Sequence, residues 1–120
     1  MRISIATSVY NNETKISSFL ETAFSIADEV IIIDHFSTDM TTQICQTYSK
    51  VHLVKKHIAP VEQVKQWAIN LCTGDLNMFI DIRDLRDEFA LRQMLSLCSI
   101  SHSLKLCVGH PVFKDEKMNK

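Results

Sequence analysis

Glycine and proline are scarce in this chain, since its 120 residues contain only two of each. This scarcity leaves little sequence of linker composition. It also excludes G-x-G-x-x-G and P-loop phosphate-binding motifs, which need closely spaced glycines, whereas Gly74 and Gly109 lie far apart. The length suits one domain with one core. We therefore expect a single domain over residues 1–113 and a polar tail over residues 114–120.

The chain also lacks a surplus of charge and any long apolar run. Its formal net charge of -1 argues against a general nucleic-acid binder, so any contact with phosphate should be local. No stretch approaches the roughly 20 apolar residues that a membrane span needs. The first residues lack the apolar segment of a signal peptide. These features predict a protein without nucleic-acid partners or membrane spans.

The four cysteines form no C-x-x-C pair and are widely spaced, at Cys45, Cys72, Cys98 and Cys107. This spacing is typical of reduced, mostly buried thiols rather than of a disulfide framework or a zinc site. The cysteine pattern therefore predicts a cytoplasmic protein.

Short runs rich in β-branched residues alternate with stretches of helical periodicity. The predicted strands cover residues 3–9, 29–34, 51–54, 76–81 and 104–112, and helices are expected after Asn11-Asn12, after Ser37-Thr38, from Pro60, and over residues 84–98. The alternation predicts an α/β domain with a mostly parallel sheet. Because the run from Val30 to Ile33 is uninterrupted and apolar, the sheet should be covered on both faces, as a three-layer α/β/α sandwich.

Polar residues follow three of the predicted strands. They are the segments Ser8-Val9-Tyr10-Asn11, Asp34-His35-Phe36-Ser37 and Asp81-Ile82-Arg83-Asp84. Parallel sheets bind ligands beyond the carboxyl ends of their strands. We therefore expect the functional site where these three segments meet.

The segment after the second strand has two interpretations. Asp34 closes a buried strand and can accept hydrogen bonds from a base or ribose, while the helix start that follows suits an anion. Alternatively, Ser37, Thr38 and Asp39 only cap that helix and favour its dipole.

The segment after the fourth strand is also open to two interpretations. Carboxylates at the end of a buried strand commonly hold a divalent cation against a diphosphate. Here Asp81 and Asp84 are three residues apart, with Arg83 between them. Alternatively, Asp84 caps a helix and Arg83 forms an ion pair with Asp81.

Three motifs occur in order over residues 3–85: VYNNE, EVIIIDHFSTD and KQWAINLCTGDLNMFIDIRD. Together they resemble the family 2 glycosyltransferases of the GT-A fold, especially the bacterial branch associated with lipopolysaccharide-core sugars. The resemblance implies a truncated GT-A domain that binds a nucleotide-diphospho-sugar. It also implies transfer of the sugar, with inversion, to a hydroxyl of a saccharide or lipid-linked acceptor.

The resemblance assigns roles to individual residues. Ser8 and Tyr10 fall where the family contacts the nucleotide, with Tyr10 against the base. Asp34 falls at the carboxylate that recognises the nucleoside, and Lys65 at a basic residue near the diphosphate. Asp81 matches the first aspartate of the D-x-D motif, which implies a site for Mn²⁺ or Mg²⁺.

Three positions depart from the family pattern. Arg83 replaces the second, metal-ligating aspartate, and arginine cannot coordinate a cation. Three alternatives follow: Asp81 and Asp84 together retain the metal, Arg83 binds phosphate in its place, or the site no longer catalyses transfer. His35 and Phe36 replace an acidic or small residue and a glycine, which should crowd the nucleoside pocket.

The family's acceptor-binding half lies well after the D-x-D motif, and the sequence beyond Arg83 is too short to hold it. We therefore expect either a piece of a larger enzyme or a relict, non-catalytic module for binding or assembly. Such a module would leave apolar surface uncovered, which predicts a homo-oligomer.

Overall fold

Strands and helices alternate along the part of the chain that the structure, a computed structural model, describes: residues 1–83 and the backbone of residues 105–107. The elements are β1 (Ile3–Val9), α1 (Ile16–Phe24), β2 (Glu29–Asp34), α2 (Thr41–Gln46), β3 (Val51–Lys55), α3 (Val61–Leu71), β4 (Leu76–Phe79) and β5 (Lys105–Cys107). None of the helices in these residues is long and apolar enough to cross a membrane.

The strands form one parallel sheet in the order β3-β2-β1-β4-β5. β1 lies between β2 and β4, so that Ile5 is opposite both Val30 and Met78. The chain builds the sheet outward from β1 to β3 and then returns to add β4 on the other side of β1. In an open α/β sheet, this reversal creates a crevice at the carboxyl ends of the two strands where it occurs.

Helices cover both faces of the sheet, which confirms the predicted three layers. Alternate residues of β1 and β2 point to opposite faces, as the period of a strand requires. Ile5 and Ile32 pack in the cluster that includes α1 and α2. Ala6 and Ile31 pack in the second cluster, with α3. The apolar run of β2 is therefore buried on both sides, as the sequence predicted.

The predicted cap of the first helix is wrong. α1 begins at Ile16, and no side chain caps its start. The Asn12 side chain instead accepts a hydrogen bond from the Tyr10 N–H at 2.8 Å, which shapes the turn after β1.

The predicted cap of the second helix is wrong as well. α2 begins at Thr41 rather than after Ser37-Thr38, because the Ser37 hydroxyl donates to Asp34. The Asp39 carboxylate instead accepts the Thr41 N–H at 2.9 Å and so satisfies one of the N–H groups at the start of α2.

The third helix begins as predicted. Pro60 directly precedes α3, and its carbonyl accepts hydrogen bonds from the N–H groups of Gln63 and Val64. The predicted helix over residues 84–98 and the tail over residues 114–120 lie outside the described residues. Cys45 and Cys72 are buried free thiols, as the cysteine pattern predicted.

The turn between α3 and β4 fits closely against the amino-terminal end of β1. The Asn77 side chain both accepts the Gly74 N–H at 2.9 Å and donates to the Gly74 carbonyl at 2.8 Å. A β-carbon on Gly74 would lie 2.8 Å from the Arg2 carbonyl oxygen and from Ser4 Oγ. Only glycine therefore fits at this position without a shift of β1.

We expect Gly74→Ala to lower the free energy of unfolding by about 1–3 kcal/mol, the usual cost of overpacking. The backbone atoms in the way belong to β1 and its start, which the sheet holds in place. Urea denaturation measures the change. Ser17→Ala, on the exposed side of α1, is the matched control and should stay within about 0.5 kcal/mol of the wild type. Equal midpoints for wild type and Gly74→Ala would contradict this close packing.

Candidate functional site

The structure places the predicted site residues around the carboxyl ends of three adjacent strands. Ser8 and Tyr10 lie at the end of β1, Asp34 ends β2, and Asp81 and Arg83 follow β4. Because β1 lies between β2 and β4, these residues share one edge of the sheet. They surround the crevice that the reversal of strand order creates.

Asp34 is fully buried and organises the turn that follows β2. Its carboxylate accepts the Ser37 hydroxyl at 2.6 Å and the Ser37 N–H at 3.2 and 3.3 Å. Burial, with a contribution from the Asp34 charge, raises the pKa of the Cys45 thiol to about 11, so that this thiol stays protonated. In this arrangement the carboxylate holds the turn, and its contact with a nucleoside stays a prediction.

The loops after β1 and β2 are joined by side-chain hydrogen bonds. The Asn11 N–H donates to Ser37 Oγ at 2.9 Å, and Asn11 Oδ1 accepts the Thr38 N–H at 2.7 Å. Glu13 Oε1 accepts the Met40 N–H at 2.8 Å. The polar residues of the first two motifs therefore fix two loops to each other, a role that their sequence did not indicate.

Lys65 lies on the inner side of α3, and its side chain is 8% exposed. Its ammonium group has no hydrogen-bond partner within residues 1–83. The carboxylate of Glu62 is 3.8 Å away, beyond hydrogen-bond distance, and that side chain is 65% exposed. The structure thus holds a buried ammonium group whose ion pair with Glu62 is long and whose hydrogen bonds are not satisfied within residues 1–83.

Arg83 binds the carboxylate of Asp81 through both oxygens. Arg83 Nε donates to Oδ1 at 2.9 Å, Arg83 Nη2 donates to Oδ2 at 2.8 Å, and the Arg83 N–H adds a third bond at 2.8 Å. The side-chain hydrogen bonds from Arg83 hold the pKa of Asp81 below its ordinary value of 3.8, against the effect of burial. Lys65 lowers it further by its charge. Of the two interpretations of this segment, the structure shows the one in which Arg83 forms an ion pair with Asp81.

A pocket of about 360 Å³ lies beside these groups, at the ends of β1, β2 and β3. It is lined by Tyr10, His35, Phe36, His57 and Ile58. The rings of Phe36 and His57 stack with centroids 4.7 Å apart. Phe36 has a φ of 60°, a left-handed conformation that residues with bulky side chains rarely adopt. His35 and Phe36 come from a segment expected at the functional site, whereas His57 and Ile58 were not predicted to lie there.

Comparison with known proteins identifies the family. Residues 4–85 match Glycosyl transferase family 2. The chain belongs to this family. It is 34% identical over 83 residues to an uncharacterized glycosyltransferase of Rickettsia typhi, and 32% identical over 83 residues to one of Rickettsia prowazekii. Each alignment covers 65% of this chain, which spans only 28% of the length of these relatives.

A solved structure has a similar fold. The structure superposes on residues 1–349 of S. aureus TarS with a TM-score of 0.67 and 22% sequence identity. The superposition covers 83% of this chain and 33% of the TarS chain. The domain is therefore a partial GT-A fold, as the sequence predicted.

Family 2 glycosyltransferases typically use a divalent metal, but the described residues do not fit one. Both Asp81 oxygens are bound by the Arg83 guanidinium, whose positive charge repels a cation. Residues 1–83 contain no cluster of three side chains that could ligate a metal ion. Asp84, the other predicted ligand, lies outside the described residues. We therefore derive no step of the chemistry through a metal ion at Asp81.

The coupling energy between Asp81 and Arg83 should depend on pH in a defined direction. Because the folded-state pKa of Asp81 is lowered, the ion pair contributes its full stability above the ordinary value of 3.8 and loses it as pH falls through the folded value. A double-mutant cycle with Asp81→Asn and Arg83→Gln, followed by urea denaturation, measures this coupling.

We expect the coupling energy to be below about 1 kcal/mol, since solvent screens an exposed pair. It should be equal at pH 7 and pH 5 and should decrease below pH 3.8. A coupling energy that increases on acidification would contradict the assigned ion pair.

Proposed function

We propose that this domain binds a nucleotide-diphospho-sugar at the carboxyl ends of β1, β2 and β4, with the diphosphate facing Lys65. The observation that carries the proposal is the buried ammonium group without a hydrogen-bond partner in residues 1–83. Burying a charge is costly unless the charge is paired, so such groups are retained where a ligand completes them. A diphosphate supplies the missing anion.

The neighbouring ion pair leaves this charge available. The guanidinium of Arg83 neutralises Asp81, so that this carboxylate does not neutralise the ammonium group of Lys65. Glu62 is largely exposed, and water screens its charge. Side chains rather than a metal ion therefore attract the phosphate. In this proposal Arg83 takes the place of the metal by neutralising Asp81, which leaves the charge of Lys65 for the phosphate.

In the intact protein we expect transfer of the sugar with inversion. The acceptor hydroxyl forms a bond to the anomeric carbon, the bond from that carbon to the diphosphate oxygen breaks, and a base outside the described residues takes the hydroxyl proton. Negative charge develops on the leaving diphosphate, where a fixed cation stabilises the transition state. We assign this role to Lys65.

The proposal includes three further points. We infer an acceptor of the saccharide or lipid-linked kind found in the lipopolysaccharide-core branch, as the D-x-x-S-T-D motif at Asp34 suggests. The free thiols of Cys45 and Cys72 support a cytoplasmic location. Self-association through uncovered apolar surface stays a prediction.

A second candidate function is a module that binds the nucleotide sugar without transferring it. The occupation of Asp81 by Arg83 favours this alternative, because it removes the usual metal ligand. Release of nucleoside diphosphate from UDP- and GDP-sugars distinguishes the two functions. Release above the uncatalysed background would exclude the non-catalytic module, provided that it disappears in Lys65→Met.

Replacing Lys65 should change affinity and stability in opposite directions. In Lys65→Met the charge is lost but the volume is nearly kept. We expect the affinity for UDP or GDP to fall by about tenfold or more, since a charged hydrogen bond contributes about 1.5–3 kcal/mol. We expect the free energy of unfolding to rise by about 1 kcal/mol, since a buried unsatisfied group is removed. Calorimetric titration and urea denaturation measure the two changes.

The matched control is Lys50→Met, an exposed lysine at the opposite, amino-terminal edge of β3. It should leave both the affinity and the stability unchanged. The titrations are repeated with EDTA and with Mn²⁺. Binding that requires Mn²⁺, or that survives Lys65→Met undiminished, would overturn the proposed role of Lys65.

A further inference from the structure

We propose that His35 selects the base of the bound nucleotide and favours bases with a ring N–H beside a carbonyl, such as uracil or guanine. The selection occurs in the pocket between Tyr10, Phe36 and His57. This inference rests on the proposed function, because it assigns the base of the same nucleotide whose diphosphate faces Lys65.

The first step concerns the tautomer of His35. Its Nδ1 atom lies 2.9 Å from the carbonyl oxygen of Lys56. A carbonyl oxygen only accepts hydrogen bonds, so Nδ1 must carry the hydrogen. In a neutral imidazole, the other nitrogen, Nε2, then presents a lone pair. His35 is therefore a hydrogen-bond acceptor on the side of its ring away from Lys56.

The second step concerns how firmly the ring is held. The His35 N–H donates to the Val9 carbonyl at 3.0 Å, and the Lys56 N–H donates to the Asp34 carbonyl at 3.0 Å. Both partners of the side-chain bond are thus fixed to the ends of strands. A ring attached to such a frame keeps its acceptor in one orientation, which selection between bases requires.

The third step concerns what the pocket accepts. Tyr10 and Phe36 expose 54% and 44% of their surface, an unusual amount for neighbouring aromatic residues. Stacking on an aromatic side chain stabilises a bound base by an amount that hardly depends on which base it is. Phe36 keeps its ring at the pocket although its backbone is left-handed, and strained backbone of this kind is concentrated at ligand sites. A flat aromatic ligand is the occupant that suits these walls.

The fourth step is the choice between bases. Uracil presents a ring N–H at the position where cytosine presents a lone pair. Against the Nε2 lone pair, uracil makes a hydrogen bond and cytosine leaves two acceptors facing each other. A site built to hydrogen-bond an N–H rejects the analogue that lacks it. Stacking thus holds either base, and His35 distinguishes between them.

UDP and CDP, which are nearly equal in size and charge, are the probes that test this inference. Calorimetric titrations at pH 8, above the range in which imidazoles normally titrate, compare wild type, His35→Asn and His35→Gln. The asparagine amide can replace Nδ1 and keep the bond to the Lys56 carbonyl, but it has no atom at Nε2. The glutamine carbonyl can reach the Nε2 position.

We expect wild type to bind UDP about tenfold or more tightly than CDP, as loss of one hydrogen bond in a partly buried site implies. His35→Asn should bind the two nucleotides equally, and His35→Gln should retain part of the preference. Thermal melting confirms that both variants are folded. Equal binding of the two nucleotides to wild type is decisive by itself, whereas a preference for UDP is assigned to His35 only through the variants.

The outcomes separate this inference from the proposed function. Equal binding of UDP and CDP to wild type would overturn the role of His35 and leave nucleotide binding intact. A preference for UDP that persists in His35→Asn would assign the selection to another group. If neither nucleotide binds to wild type, both proposals are wrong.

Discussion

The buried carboxylate of Asp34 is the interaction on which the rest of the site depends. Its side chain holds Ser37, and Ser37 in turn accepts the N–H of Asn11, so that the loop after β1 is bound to the loop after β2. Its backbone carbonyl holds Lys56, whose own carbonyl fixes His35. One residue at the end of β2 therefore sets the positions of three loops. A charge that is fully buried needs such complete pairing, and the same pairing makes the loops rigid.

The second organising feature is the distribution of charge beyond β4. Asp81 is bound by Arg83, whereas Lys65 is buried and its ion-pair partner within residues 1–83, Glu62, is 3.8 Å away and largely exposed. These two arrangements depend on each other. Lys65 acts on Asp81 by its charge, so an Asp81 that Arg83 did not bind would attract the ammonium group. The replacement of an aspartate by Arg83 thus both excludes a cation from Asp81 and leaves Lys65 available for an anionic ligand.

The strands were predictable from the sequence, because runs such as Val30 to Ile33 are determined by local composition and burial. The starts of the first two helices were not, since Ser37 and Asn12 have partners that belong to other segments or to their own turn. The Asp81–Arg83 pair was foreseen as one of two alternatives, and only geometry decides between them. The contribution of the segment after β3 to the aromatic pocket was missed, because no spacing along the chain shows that His57 stacks on Phe36.

The exchange of a metal ligand for Arg83 has a consequence for the conditions in which such a site operates. A metal ion exchanges with the surrounding solution, so a site that uses one responds to metal supply and to chelators. Side-chain cations are always present, but salt screens them over a Debye length of about 8 Å at physiological ionic strength. If Lys65 supplies the charge at the diphosphate, donor affinity is set by ionic strength rather than by the concentration of Mn²⁺ or Mg²⁺.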